Sequence, residues 1–185
     1  MALDRRQFVS GTGLGVLAFQ VGGALAWLNP RQAKAQNVPL RVLSPADALV
    51  VDALGEALVP GAASAGLTHY IDQQLAADSI DSLLMIRYLD VPPPYAAFYK
   101  PCLASIDAVA MKMHGKSLHE LTGVQRDDVV RAIQRGNPEA WVGPPAPLFY
   151  FVLRSDAIDV VYGTAEGFAK LGIPYMAHIK PPSNW

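Results

Sequence analysis

Cys102, four histidines and two acidic pairs are the residues of this chain whose types could do chemistry. Cys102 could act as a nucleophile with a distant histidine. It follows Pro101 inside an apolar segment, where a cysteine packs as a small core residue. The histidines are His69, His114, His119 and His178. His114 and His119 are five apart, not the four that puts two metal ligands on one helix face. They read as exposed or hydrogen-bonded histidines. Asp127-Asp128 and Asp156/Asp159 could be acid–base pairs, but Arg126, Arg131 and Arg154 lie beside them, as on solvated ion-pair faces. Gly11, Gly13 and Gly15 imitate a nucleotide loop without a preceding strand, and the serine elbow G-x-S-x-G does not occur. These residues assemble no active site. The expectation is a chain with no catalytic residue, cofactor or metal of its own.

The totals narrow the classes further. The chain has 185 residues, 51% hydrophobic and 17% charged, with a net charge of −1 and one cysteine. That suffices for one domain with a real core. A near-neutral balance argues against a nucleic-acid partner, which would call for a basic excess. A single cysteine excludes an internal disulfide, a Cys-rich zinc site and haem attachment through C-x-x-C-H.

The elements that would position any site read as helices joined by proline-rich loops. Ser44-Pro45-Ala46-Asp47 starts a helix, with Ser at the N-cap, Pro at N1 and an acid at N3. Its apolar stripe is Ala46, Leu49, Val50, Ala53, Leu54, Ala57 and Leu58, and Pro60-Gly61 stops it. A second helix is predicted over 67–76, with Leu67, Tyr70, Ile71 and Leu75 inward, and a third over 80–89. A fourth starts near Pro94 and closes at Gly115, with Phe98, Leu103, Ile106, Val109, Ala110 and Met113 inward. Pro101 is expected to bend or break it. Thr122 to Gly136 carries Val124, Val129, Val130 and Ile133 at helical spacing. Leu148–Leu153 could be a buried strand by composition. Ala157, Ile158, Val161 and Tyr162 that follow favour a helix ending at Gly163. The fold class is all-α: a small helical domain with an irregular, aromatic- and proline-rich C-terminal arm.

Residues 1–35 are a different material. They have the basic start, apolar middle and small-residue end of an export signal. Arg5-Arg6-Gln7-Phe8-Val9 resembles the twin-arginine pattern, and Ala33-Lys34-Ala35 fits A-x-A, predicting cleavage before Gln36. Asp4 stands where Ser or Thr is common. The alternative is a retained anchor, because Val9–Leu28 is 20 uncharged residues, just long enough to span a bilayer. Five glycines and Gln20 weaken it. Four of the 15 basic residues and one of the 16 acidic ones lie in this segment, so residues 36–185 carry 11 basic and 15 acidic residues, a net −4. The domains are thus 1–35, signal, and 36–185, helical body, with 162–185 as a docking arm. The expected location is the periplasm.

Residues 141–185 hold eight of the 16 aromatics and six of the 15 prolines. An arm this rich in large apolar groups must pack on its own domain or on a partner, and both remain open.

Here a resemblance becomes specific. Tyr162-Gly163-Thr164-Ala165-Glu166-Gly167-Phe168, then Gly172-Ile173-Pro174-Tyr175-Met176-Ala177-His178-Ile179 and Pro181-Pro182, resemble the C-terminal signature of the gluconate 2-dehydrogenase subunit 3 family. The twin-arginine pattern and the stretch around Leu118–Ile133 are similar too. The resemblance implies a non-catalytic small subunit of an acceptor-dependent dehydrogenase acting on sugars, polyols or sugar acids. It places FAD in a large glucose-methanol-choline-type partner and haem c in a cytochrome subunit that passes electrons onward. It implies a chaperone that stabilises the large subunit and carries it through the twin-arginine translocase to the periplasmic face of the inner membrane. The residues expected to dock the partner are Tyr162, Gly163, Phe168, Pro174, Tyr175, Met176, His178, Pro181 and Trp185. Arg5, Arg6 and Phe8 form the expected export signal, and Ala33 and Ala35 the cut. Two other readings stand beside this one: a membrane-anchored scaffold that keeps its N-terminal segment, and a free-standing periplasmic enzyme using Cys102 or a histidine.

Overall fold

A computed structural model describes residues 16–174. Its body is helical. The elements are β1 (Leu17–Val21), β2 (Ala24–Leu28), α1 (Pro30–Ala35), α2 (Pro45–Leu58), α3 (Ala62–Ala65), α4 (Leu67–Ala76), a 3-10 turn (Met85–Leu89), α5 (Ala96–His114), a second 3-10 turn (Leu118–Glu120), α6 (Gly123–Arg135), α7 (Ala146–Tyr162) and α8 (Ala165–Lys170).

Local chemistry sets the main helix starts. Ser44 accepts from the Asp47 amide while Asp47 accepts from the Ser44 amide, a reciprocal capping box with Pro45 at N1. Thr122 and Gln125 do the same for α6. Helix α2 is central and packs against α3, α4, α5, α6 and α7. That surrounds it on more sides than one apolar stripe predicts. Val51 and Gly55 are buried, whereas Leu49, expected inward, is 49% exposed. Gly55 is a contact point: a β-carbon there would sit 2.4 Å from Leu67 Cδ2. Met113 and Val124, also expected inward, are exposed near the ends of α5 and α6, beyond reach of the core.

Of the two outcomes expected at Pro101, a bend or a break, the break does not occur: helix α5 continues through it. The ring removes one backbone donor, yet the flanking Phe98, Tyr99, Cys102 and Leu103 are all buried, and their packing keeps the helix from ending there. Helix α7 resolves the strand ambiguity. Ala146, Phe149, Val152, Leu153, Asp156 and Ala157 are its buried residues, an i, i+3, i+4 stripe. Phe98, Tyr99, Phe149 and Trp141 form an aromatic cluster with ring centroids 5.6–6.2 Å apart. Phe149 and Trp141, counted in sequence among the aromatics of the C-terminal region, therefore serve this domain's own core.

Two further expectations need correction. The helix predicted over 80–89 is only the 3-10 turn Met85–Leu89. Side chains from elsewhere take the amides a helix would use: Gln74 Oε1 accepts from Leu83 N at 2.6 Å, and Asp156 Oδ1 accepts from Met85 N at 2.9 Å. The all-α class also needs an addition, because β1 and β2 pair as an antiparallel hairpin. Gly22 and Gly23 form its two-residue loop with φ of 57° and 85°, the left-handed pair that a tight hairpin demands. No helix among the described residues is long and apolar enough to cross a membrane.

Candidate partner-docking surface

The arm begins where α7 ends, and two glycines build that corner. Gly163 caps α7, donating its amide to Asp159 O at 2.9 Å; a β-carbon on it would lie 2.5 Å from that same oxygen. Thr164 then caps α8, its hydroxyl accepting from Gly167 N at 3.0 Å. Gly167 faces the end of α7 so closely that a β-carbon would sit 2.4 Å from Tyr162 Cα and 2.6 Å from the carbonyl oxygens of Val161 and Tyr162. Only backbone is in the way, so the neighbour cannot yield. Tyr-Gly-Thr-Ala-Glu-Gly-Phe is thus the recipe for folding a short helix directly back onto the one before it.

Helix α8 ends in a Schellman motif. Gly172 adopts φ 67°, Ile173 N donates to Phe168 O and Gly172 N to Ala169 O, both at 3.0 Å. The expected irregular arm is therefore ordered into a capped helix over 165–170. Of the predicted docking residues, Tyr162 is half-buried against the main core, Phe168 is half-buried on α8, Gly163 is exposed at the corner, and Pro174 is exposed where the description ends. Leu171 and Ile173 are about half exposed beside it. Tyr175, Met176, His178, Pro181 and Trp185 lie outside the described residues, as do Arg5, Arg6 and Phe8.

The N-terminal segment reaches this corner. Arg31 Nη1 lies 3.1 Å from Glu166 Oε2, and Lys170 Nζ lies 3.1 Å from Glu166 Oε1. The two cations hold the Glu166 carboxyl below its ordinary pKa, Lys170 most of all. A cavity of about 140 Å³ opens beside the Arg31–Glu166 pair, lined by Pro30, Arg31, Tyr70, Asp159, Gly163 and Glu166 among others. It is smaller than the ~300–1,000 Å³ of sites that enclose drug-sized ligands.

The groups singled out for chemistry are scattered. Cys102 is fully buried, and burial pushes its thiol up to about 12, so it stays protonated. His69 Nε2 lies 3.1 Å from Val38 O, and burial lowers its pKa. Among the described residues no group of three His, Cys, Asp or Glu could hold a metal ion. Asp127 and Asp128 pair with Arg131 on the surface, as their neighbours suggested. Asp156 does not sit on a solvated ion-pair face: it is fully buried on α7, where its carboxylate accepts from the Met85 amide and the Tyr99 hydroxyl. Burial pushes it up to about 7. Sequence reasoning missed it because Arg154 drew attention, yet its spacing of seven from Phe149 and four from Val152 puts it on the inward stripe. It ties the 3-10 turn to α7.

Residues 45–178 match a known protein family, gluconate 2-dehydrogenase subunit 3. The chain belongs to that family. The match spans the helical body and runs through the glycine corner into the arm. Membership makes this a subunit-type chain of a dehydrogenase complex, in keeping with the resemblance of its end motif. No curated protein and no solved structure matches it.

Proposed function

We propose that this chain is the non-catalytic small subunit of an FAD-dependent sugar, polyol or sugar-acid dehydrogenase. It stabilises the FAD-bearing large subunit and escorts it through the twin-arginine translocase, and the complex works with a c-type cytochrome at the periplasmic face of the inner membrane. The observation that carries this is the family match across the body and arm. The corner geometry supports it. Gly163 and Gly167 fix the direction in which the chain leaves α7, and Leu171, Ile173 and Pro174 present apolar surface on the way to an aromatic tail. Exposed apolar groups at a rigid exit suit a docking arm. FAD is inserted before export, so a partner must cross the membrane folded. Arg5, Arg6 and Phe8 supply the signal type that accepts folded cargo.

The test is co-expression with a large flavoprotein of the glucose-methanol-choline type. The full chain should recover the flavoprotein in a pull-down, and truncation before Tyr162 should weaken that recovery. Replacing Arg5 and Arg6 by Lys should leave its activity in the cytoplasm. Recovery of no flavoprotein, or normal periplasmic activity of the double variant, refutes the proposal.

A further inference from the structure

We propose that the A-x-A sequence at Ala33–Ala35 is not a processing site in the folded chain, and that residues 16–35 stay attached as an N-terminal docking element of the body. The sequence of this segment encodes a fully capped helix. Asn29 and Gln32 form a capping box around Pro30, with Gln32 N to Asn29 Oδ1 at 2.8 Å and Asn29 N to Gln32 Oε1 at 3.0 Å. At the other end Asn37 adopts φ 50°, and Val38 N donates to Ala33 O at 3.0 Å, closing a Schellman motif. Val38, Ala33 and Phe19 then bury one another in a small second core, with Leu17, Val21 and Leu28 of the hairpin packed against it.

The body is shaped to receive this helix. Lys34 Nζ lies 2.6 Å from Asp52 Oδ2 and 2.8 Å from Ala63 O, while Arg31 pairs with Glu166. Gly66 adopts φ 90°, and a β-carbon there would lie 2.2 Å from Pro30 O. The junction of α3 and α4 thus admits the α1 backbone only because it has no side chain. Removing residues 1–35 would strip Asp52 of its cation, uncover Val38, and bare the face of Gly66.

A peptidase binds its substrate extended, with alternate side chains in pockets. To cut before Gln36 it must break the Gln36 N to Gln32 O and Val38 N to Ala33 O bonds and extract Ala33, whose exposure is 0%. The inference rests on the export reading only for the order of events: folded cargo has already docked this helix when a signal peptidase meets it.

The test separates the two. The purified full chain and a synthetic peptide of residues 28–40 are digested with elastase, which cuts after small residues, and scission of the Ala35–Gln36 bond is followed by mass spectrometry. The folded chain should be cut there at least about a hundredfold more slowly than the peptide, as an opening equilibrium of that size requires. Gly66→Ala and, from a different side, Asp52→Ala should accelerate the cut while far-ultraviolet circular dichroism stays helical. In cells, the mass of exported protein should include residues 16–35. Equal rates for chain and peptide, or an exported protein starting at Gln36, overturns the inference. A chain that stays in the cytoplasm yet resists elastase refutes the export reading alone.

Discussion

Replacing Asp156 by Asn should remove a loss of stability that the natural chain suffers as pH rises. The carboxyl is enclosed between α7 and the 3-10 turn and titrates near 7, against an ordinary value of 3.8. Its folded pKa is raised, so between those values the native state holds a proton that the unfolded chain has released. Stability from this group is therefore present at low pH and falls as pH rises from about 4 to about 7, then levels. Three units at ~1.36 kcal/mol each set a ceiling of about 4 kcal/mol, and roughly half or more of it falls between pH 5 and pH 8. Asn keeps a carbonyl to accept from Met85 N or Tyr99 and never ionises. Urea unfolding of both proteins at pH 5, 6, 7 and 8 isolates the term, because every other titrating group is common to the pair. The stability of Asp156→Asn minus that of the natural chain should grow by about 2–3 kcal/mol across this range, a midpoint shift of about 1 M or more at the m-values usual in urea. A difference that is flat, or that shrinks as pH rises, refutes the assignment of a buried, protonated carboxyl.

Gly167→Ala should prise α8 off α7, since its β-carbon meets only backbone, at 2.4 Å. The expected result is a loss of about 2 kcal/mol or more in unfolding free energy, of the order seen for overpacked sites, and weaker capture of the flavoprotein. Cys102→Ala should cost about 1–2 kcal/mol in urea unfolding, as for a small buried side chain, and leave the turnover of the assembled dehydrogenase unchanged; a loss of turnover at full occupancy of the complex would restore the cysteine as a reacting group.

Where sequence and fold agree, short-range chemistry decides. Ser44 and Thr122 mark their helices because each cap needs only residues three positions away. The stretch 80–89 misleads because its amides are claimed by Gln74 and Asp156, the second 71 positions distant from Met85. Leu49 and Val51 exchange roles because α2 is packed on several sides, which no single-stripe pattern encodes. The hairpin at 17–28 was readable from Gly22-Gly23 between apolar runs, but the same residues also suit an export signal. At the arm the end motif was legible as a string, while the reason for its glycines lay in two backbone approaches visible only in three dimensions.

The α7–α8 corner also sets a length scale. Pro174 lies four residues beyond α8, whose start is packed closely against the end of α7 at Gly163 and Gly167. Trp185 follows eleven residues later, and a fully extended chain covers at most ~3.6 Å per residue, so its indole is tethered within roughly 40 Å of Pro174. A tether this short holds the tail at high effective concentration over any partner already resting on the corner. A pocket that receives Trp185 must open inside that radius, so the corner acts as the centre of a compass whose span limits where a partner subunit and this chain can be joined.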